Sequence, residues 1–355
     1  MLLYNRQKKE AVILTLIKRK VAHHMPALTI KTLSIFYSLC AILFALWSIP
    51  AVYFLTIFSN KSYNLVLMGF YIALLLLLFF IPQYKIHCRI IRFSLFLIIL
   101  IAWQQLTPTH NKPWADSISQ LPSVTLQDKI IHIQNIRDFI YQSETDYTIN
   151  YIDKTYQLSD LTELDYILSF WDNNEAIAHT MFSFGFKNGE HLVISVEVRH
   201  KKGEEYGGFA GLYKQFELIY VLATERDILQ LRTNFRQEEV YRYPVNLPQA
   251  IIQKLFNIVI ARANDLYETP EFYNTLSHNC FTSLATDFWS LGDDKTRLDY
   301  RMLANGFSDE MLYERGRLKS KLSFADTKKK SYINQYIEPN IYNPHYSKQI
   351  RPKTN

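Results

Sequence analysis

The sequence predicts an α+β protein in two parts, N-terminal transmembrane helices followed by a mixed folded domain. Three observations predict it. Two long stretches near the N-terminus carry no charge, the net charge of +6 is split into blocks of opposite sign, and short β-patterned and helical runs intermingle after residue 124.

The charge blocks set the first limits. Residues 1–92 hold 11 Lys and Arg against one Glu, residues 93–317 hold 20 against 30 acidic residues, and residues 318–355 hold 8 against 2. A hydrophobic share of 48%, with 15% aromatics, excludes a disordered chain. An acidic central block argues against a nucleic-acid partner, which needs a concentrated basic surface.

No charge falls between Lys31 and Lys61, and residues 33–58 exceed the roughly 20 apolar residues that span a bilayer core. Pro50 lies inside this stretch, which a membrane helix tolerates. Residues 65–82 form a second apolar stretch. The third, residues 93–106, reaches back to Cys88 if Arg89 and Arg92 snorkel. It either crosses or is re-entrant. Arg6, Lys8, Lys9, Lys18, Arg19, Lys20 and Lys31 precede the first stretch, and Lys85, Arg89 and Arg92 follow the second, so both flanks are expected in the cytoplasm. A third crossing would leave everything from about Gln104 onward periplasmic, the large domain of a protein multi-pass in the cytoplasmic (inner) membrane. Trp103 and Trp114 would then sit in an interfacial belt. Residues 1–32 are read as a basic cytoplasmic N-terminus.

Residues 124–305 read as one mixed domain. Residues 128–141 and 146–158 are strand-like, 161–171 helical, 177–186 and 191–199 a hairpin, 216–223 a buried strand and 225–236 a short helix. Residues 240–244 add a strand, 247–267 a long amphipathic helix, and a shorter helix starts near Cys280. Residues 318–355, which include Lys328, Lys329 and Lys330, read as a basic tail, solvated or lying on anionic lipid. Cys40 and Cys88 belong to the membrane region, so Cys280 has no disulfide partner in the domain.

The hairpin carries the first chemical signal. Phe182, Phe184 and Phe186 alternate with His179, Met181, Ser183 and Gly185, while Leu192, Ile194, Val196 and Val198 alternate with Ser195 and Glu197. Apolar faces must coincide, so a three-residue Lys187-Asn188-Gly189 loop sets a register that places His179 opposite Glu197 and Met181 opposite Ser195. The carboxylate could orient the imidazole and fix its tautomer, or the two could be an ordinary cross-strand pair on a solvated face. Cys280 opens a helix, where the backbone dipole and free N–H groups lower a thiol pKa and can receive an oxyanion; it could equally be a small buried hydrophobe. Together, a helix-start Cys and a strand His backed by a polar residue form the arrangement of papain-like enzymes.

Six separated blocks extend this. IRDFIYQSETDYT (136–148), AHTMFSFGF (178–186), VISVEVR (193–199), GEEY (203–206), YKQFELIYVLATERD (213–227) and FYNTLSHNCFT (272–282) together resemble the Lnb-type periplasmic domain family, named for a bacterial lipoprotein intramolecular transacylase. The resemblance spans about 124–305. It implies a circularly permuted papain-like (NlpC-type) fold, with Cys280 matching the family cysteine and His179 the histidine of its Ala-His-Thr block. Phe281 stands where Thr is common, and three membrane helices precede the domain.

The expected function is a membrane-anchored cysteine acyltransferase or hydrolase working through a thioester on a lipoprotein or lipid acyl group. A cell-wall peptide amidase and a non-catalytic envelope scaffold are the alternatives. Cys280 would be nucleophile, His179 base and Glu197 orienting group, with Asn279, Thr282, Ser195, Glu144 and Arg137 in support. His191, His200 and His278 lack zinc-site spacing, and neither metal nor cofactor is expected.

Overall fold

The computed structural model describes residues 27–81, 85–171, 174–291 and 299–351. The chain divides into two units, residues 1–107 and 108–355. The expected basic N-terminus lies outside the described residues as far as residue 26.

The first unit consists of helices α1 (Ala27–Phe54), α2 (Lys61–Phe80) and α3 (Lys85–Gln104). Each is long and apolar enough to cross a membrane, which fits membrane association. Helix α1 ends before residue 58 because Asn64 ties down the connection: its side chain donates to the Phe58 carbonyl at 2.7 Å and accepts from the Phe58 N–H at 3.0 Å. Asn60 then caps α2. The short third stretch becomes a 20-residue helix because the chain around Arg89 and Arg92 is helical too; the Arg89 guanidinium lies 4.6 Å from the centre of the Tyr37 ring. Phe44 stacks on Phe96 at 4.2 Å, Trp47 meets Trp103 edge-on, and the Ser48 and Tyr71 hydroxyls bond at 2.9 Å.

The second unit is built on strands β1 (Ser123–Gln127), β2 (Ile130–Arg137), β3 (Ile140–Tyr141), β4 (Tyr147–Thr148), β5 (Tyr151–Gln157), β6 (Leu161–Phe170), β7 (His179–Phe186), β8 (His191–Arg199), β9 (Glu217–Thr224) and β10 (Glu239–Pro244). The main sheet runs β1-β2-β9-β8-β7-β6-β10, with β5 also paired to β2. Its pairs are antiparallel except β2 with β9. The helices are α4 (Glu225–Gln230), α5 (Gln249–Glu268), α6 (Cys280–Trp289), α7 (Ser308–Glu314), α8 (Phe324–Ser331) and α9 (Tyr346–Gln349). One sheet face packs on α5 through Ile252, Leu255, Phe256, Val259 and Leu266, with Leu284 of α6 in the same core.

Several expectations are corrected here. Residues 161–171 form strand β6, not a helix: β6 pairs with both β7 and β10 and is buried on both faces, so its apolar residues run together and lose the period of two. The hairpin's odd-numbered face is not solvated. Met181 and Val193 lie in a second core with Ile219, Ile228, Ile333, Tyr346 and Ile350.

Much of that cover comes from the residues read as a tail, the third correction. The segment bridges β10 and its end at Tyr241–Tyr332 and Val245–Leu318, which occupies the edge of the sheet. Lys328 lies over the Phe170 and Tyr241 rings. Arg351 bonds Glu225 at 2.6 and 2.7 Å and Asp165 at 2.7 Å. Composition suggested solvation, yet Tyr346 and Ile350 are almost completely buried. At the other end the packed unit starts earlier than residue 124. Trp114 bridges to Lys201 and lies 4.4 Å under the Arg199 guanidinium, so it is a core residue, not an interfacial one.

Candidate active site

The expected hairpin register is present. Met181 pairs with Ser195, Phe182 with Ile194 and Gly185 with His191. The loop closes through a Gly189 N–H bond to the Phe186 carbonyl at 2.8 Å, and Gly189 has φ +81°, which a side chain would resist. Two residues beyond the Met181–Ser195 pair, His179 Nε2 reaches Glu197 Oε1 at 3.2 Å.

Ser195 intervenes between them. Its hydroxyl donates to Glu197 Oε1 at 2.6 Å and lies 2.7 Å from His179 Nε2. A serine has one proton to donate, and here it points at Glu197, so Ser195 must accept from His179. The imidazole therefore carries a proton on Nε2, leaving Nδ1 as the nitrogen available to the Cys280 thiol, with which His179 forms a hydrogen-bonded pair.

Cys280 is placed by the start of α6. Asn279 caps the helix, accepting from the Phe281 and Thr282 N–H groups at 2.9 and 2.8 Å, while Thr282 Oγ1 accepts from the Asn279 N–H at 2.9 Å. Asn279 and Thr282 thus hold the helix end. The amides of Phe281 and Thr282 are engaged by the cap, so the Cys280 N–H is the helix-start donor outside that box.

Burial opposes charge throughout the site, and local partners overcome it. Against burial, the Glu197 carboxylate and then the Cys280 thiolate raise the His179 imidazole to about 9. Burial would raise the Cys280 thiol, but the His179 imidazolium and the Thr180 N–H bring it down. Burial would also raise Glu197, yet His179 and Arg232 hold it well below the usual carboxylate range. The two shifts, a lowered thiol and a raised imidazole, both favour the thiolate–imidazolium form of the pair.

These groups line a cleft of about 1170 Å³. Its polar floor includes Arg232, Arg137 and Glu238, and its lining also holds the exposed side chains of Trp171, Leu276 and Leu303. Arg137 and Glu144 line the cleft away from the Cys–His pair. Arg137 is bound by Asp227 at 2.8 Å, and Glu144 is an exposed partner of Arg236 at 3.0 Å. Two residues escaped sequence reasoning. Arg232 lay in a segment read only as a helix. Tyr273 lines the cleft, and its phenol is raised first by burial and then by the nearby Cys280 charge, so it remains a hydrogen-bond donor. Its position within the FYN run was the one available signal.

Asp165, His191 and Glu225 bring ligand-type atoms within 4.8 Å of one another on the same side of the sheet. Arg351 and Arg242 already neutralise both carboxylates, with Arg242 on Asp165 at 2.9 Å, so this cluster is an ion-pair core and a poor cation cage.

Residues 147–306 match the family model of the Lnb N-terminal periplasmic domain. The matched segment runs from β4 through Gly306 and contains His179, Ser195, Glu197, Arg232, Tyr273 and Cys280. Strands β1 to β3 and helices α7 to α9 lie outside it, yet β1 and β2 pair into the same main sheet and α9 covers its second face. The family and the three apolar helices together describe a membrane protein with a periplasmic domain. No curated protein and no solved structure matches the chain.

Proposed function

We propose that this protein is a multi-pass inner-membrane cysteine acyltransferase or hydrolase, acting at the periplasmic side through a thioester on Cys280. The observation that carries the reading is the continuous chain Cys280–His179–Ser195–Glu197, whose Cys280, His179 and Glu197 line an open cleft. The order along the chain, strand histidine before helix-start cysteine, supports a permuted papain-like core.

The Cys280 thiolate attacks an ester or amide carbonyl carbon, forming the C–S bond and an oxyanion. The Cys280 N–H and the Tyr273 hydroxyl are the donors suited to receive it. Collapse breaks the bond to the leaving alcohol or amine, which takes the proton from the His179 imidazolium. Neutral His179 then removes a proton from an incoming amine, alcohol or water, which attacks the thioester and restores the thiolate. Glu197, acting through Ser195, holds the imidazole through both transfers.

An aliphatic substrate part is supported by a second pocket lined by Leu164, Phe182, Leu284, Phe288 and Met311. It shares Phe281 and Met302 with the cleft. A lipoprotein or phospholipid acyl group fits that lining, and anchoring raises its local concentration.

The test is acyl trapping. Purified full-length protein is incubated with a diacyl phospholipid, and the Cys280 peptide is examined by mass spectrometry. One acyl chain on Cys280, removed by neutral hydroxylamine and absent in Cys280→Ala, is expected. No adduct on Cys280 with lipid, acyl-lipopeptide or wall-peptide donors overturns the reading. Labelling of Cys280 by an impermeant maleimide in intact spheroplasts tests the topology, and protection until lysis would overturn it.

A further inference from the structure

Glu197 Oε1 is held from three directions. Ser195 donates at 2.6 Å, His179 Nε2 lies at 3.2 Å, and Arg232 Nη2 lies at 3.1 Å. Arg232 belongs to the π-helical turn Leu231–Phe235 that follows α4, a local geometry that recurs at functional sites. Its Nη1 donates to the Ile228 carbonyl at 2.9 Å, its Nε lies 3.7 Å from Glu238 Oε2, and the side chain is 7% exposed. Glu238 is itself fixed by Ser169 at 2.5 Å and paired with Arg236 at 3.6 Å. A guanidinium locked this firmly can act on Glu197 only in one geometry.

The charged and titratable groups acting on Glu197 come from every side of the site. His179 of β7 faces it directly, with Cys280 of α6 beyond. Arg232 faces it from the π turn, and Arg137 of β2 and Tyr273 act at longer range. A base must both take and release a proton. A carboxylate opposed only by the imidazolium would hold that proton hard, whereas a second cation on the same oxygen shares its charge.

We propose that Arg232 is a positioning residue of this site: it clamps Glu197 Oε1 in place against Ser195 and His179 and offsets part of its charge, so that His179 can release its proton. The role rests on Cys280 and His179 being nucleophile and base. Arg232 acts through Glu197 and forms no bond to the reacting atoms.

The thiol reports the role without any substrate. Full-length protein with Cys40→Ala and Cys88→Ala leaves Cys280 as the single thiol. Its alkylation rate by iodoacetamide is followed against pH, with intact mass as readout. The reference protein is expected to show one inflection where the thiolate forms and a second near 9, where the imidazolium loses its proton. In Arg232→Gln both inflections move up by about one pH unit, because a neighbouring positive charge has gone. Arg232→Lys, which keeps the charge, restores both. A purely structural role would lower the melting temperature and leave the inflections where they were, and that result overturns the proposal. Should Arg232→Gln fail to fold, Arg232→Met keeps the apolar stem and carries the same expectation and the same overturning result. A single ordinary thiol inflection in the reference protein overturns the nucleophile–base reading, and the role of Arg232 with it. Two inflections that stay put in the variant overturn Arg232 alone.

Discussion

The Ser195 hydroxyl sits 2.7 Å from His179 Nε2 while donating its own proton to Glu197, so a buried serine fixes the tautomer of the candidate base. In Ser195→Ala the direct 3.2 Å contact between His179 and Glu197 survives but loses its intermediary. Stability should fall by about 1 kcal/mol for the lost hydrogen bonding, and thioester turnover by roughly tenfold as the ring loosens. Urea unfolding and acyl-adduct kinetics measure the two effects separately.

Glu197→Gln removes the charge that raises His179. Burial then dominates, the imidazole becomes neutral at pH 7, and the thiol loses its cation. Alkylation of Cys280 at pH 7 should slow by about tenfold or more, with the inflection near 9 lost. An unchanged profile would remove Glu197 from the site.

Asn279→Ala takes away the acceptor for two helix-start amides. A loss of about 1 kcal/mol in stability is expected, together with a raised Cys280 pKa as the end of α6 frays. Asn279→Ser should recover most of the stability, which thermal unfolding can check.

Asp287 lies buried on α6, where burial pushes its carboxyl up to about 6 although Tyr220 donates to it at 2.9 Å. A raised folded-state pKa gives stability that is complete below the unfolded value of 3.8 and lost as pH rises through about 6. Asp287→Asn should therefore be more stable than the parent at pH 8, by on the order of 1–3 kcal/mol, and closer to it at pH 4. Chemical denaturation at the two pH values decides it.

For Glu225 the sign is opposite. Burial would raise it, but Arg351 brings it from 4.5 down to about 2. Its contribution is present above 4.5 and lost as pH falls toward 2. Arg351→Ala leaves Glu225 buried with its main cation gone, costing about 3–5 kcal/mol at neutral pH. In that variant burial sets the pKa, so mild acidification should stabilise the protein instead of weakening it.

The sheet's central hairpin and the Cys280 helix were legible because their signals are local: an alternating pattern fixes register, and an Asn-Cys-Phe-Thr run caps a helix. Strand β6 was not legible, because burial on both faces erases the period that separates strand from helix. Arg232 was hidden for another reason. Its partner Glu197 is 35 residues away, and only the π turn aims it there. The tail was misread because charge along the sequence does not tell whether a Lys or Arg has an acid waiting; Arg351 finds Asp165 across 186 residues.

That separation has a kinetic meaning. Met181 and Val193 present an apolar surface as soon as the hairpin zips up, but Ile333, Tyr346 and Ile350, which cover it, follow more than a hundred residues later. On the far side of a membrane the half-made sheet would meet water with that surface bare. Native burial would arrive only when Ile333, Tyr346 and Ile350 dock, so a chain cut short before them would leave this surface bare and prone to aggregate.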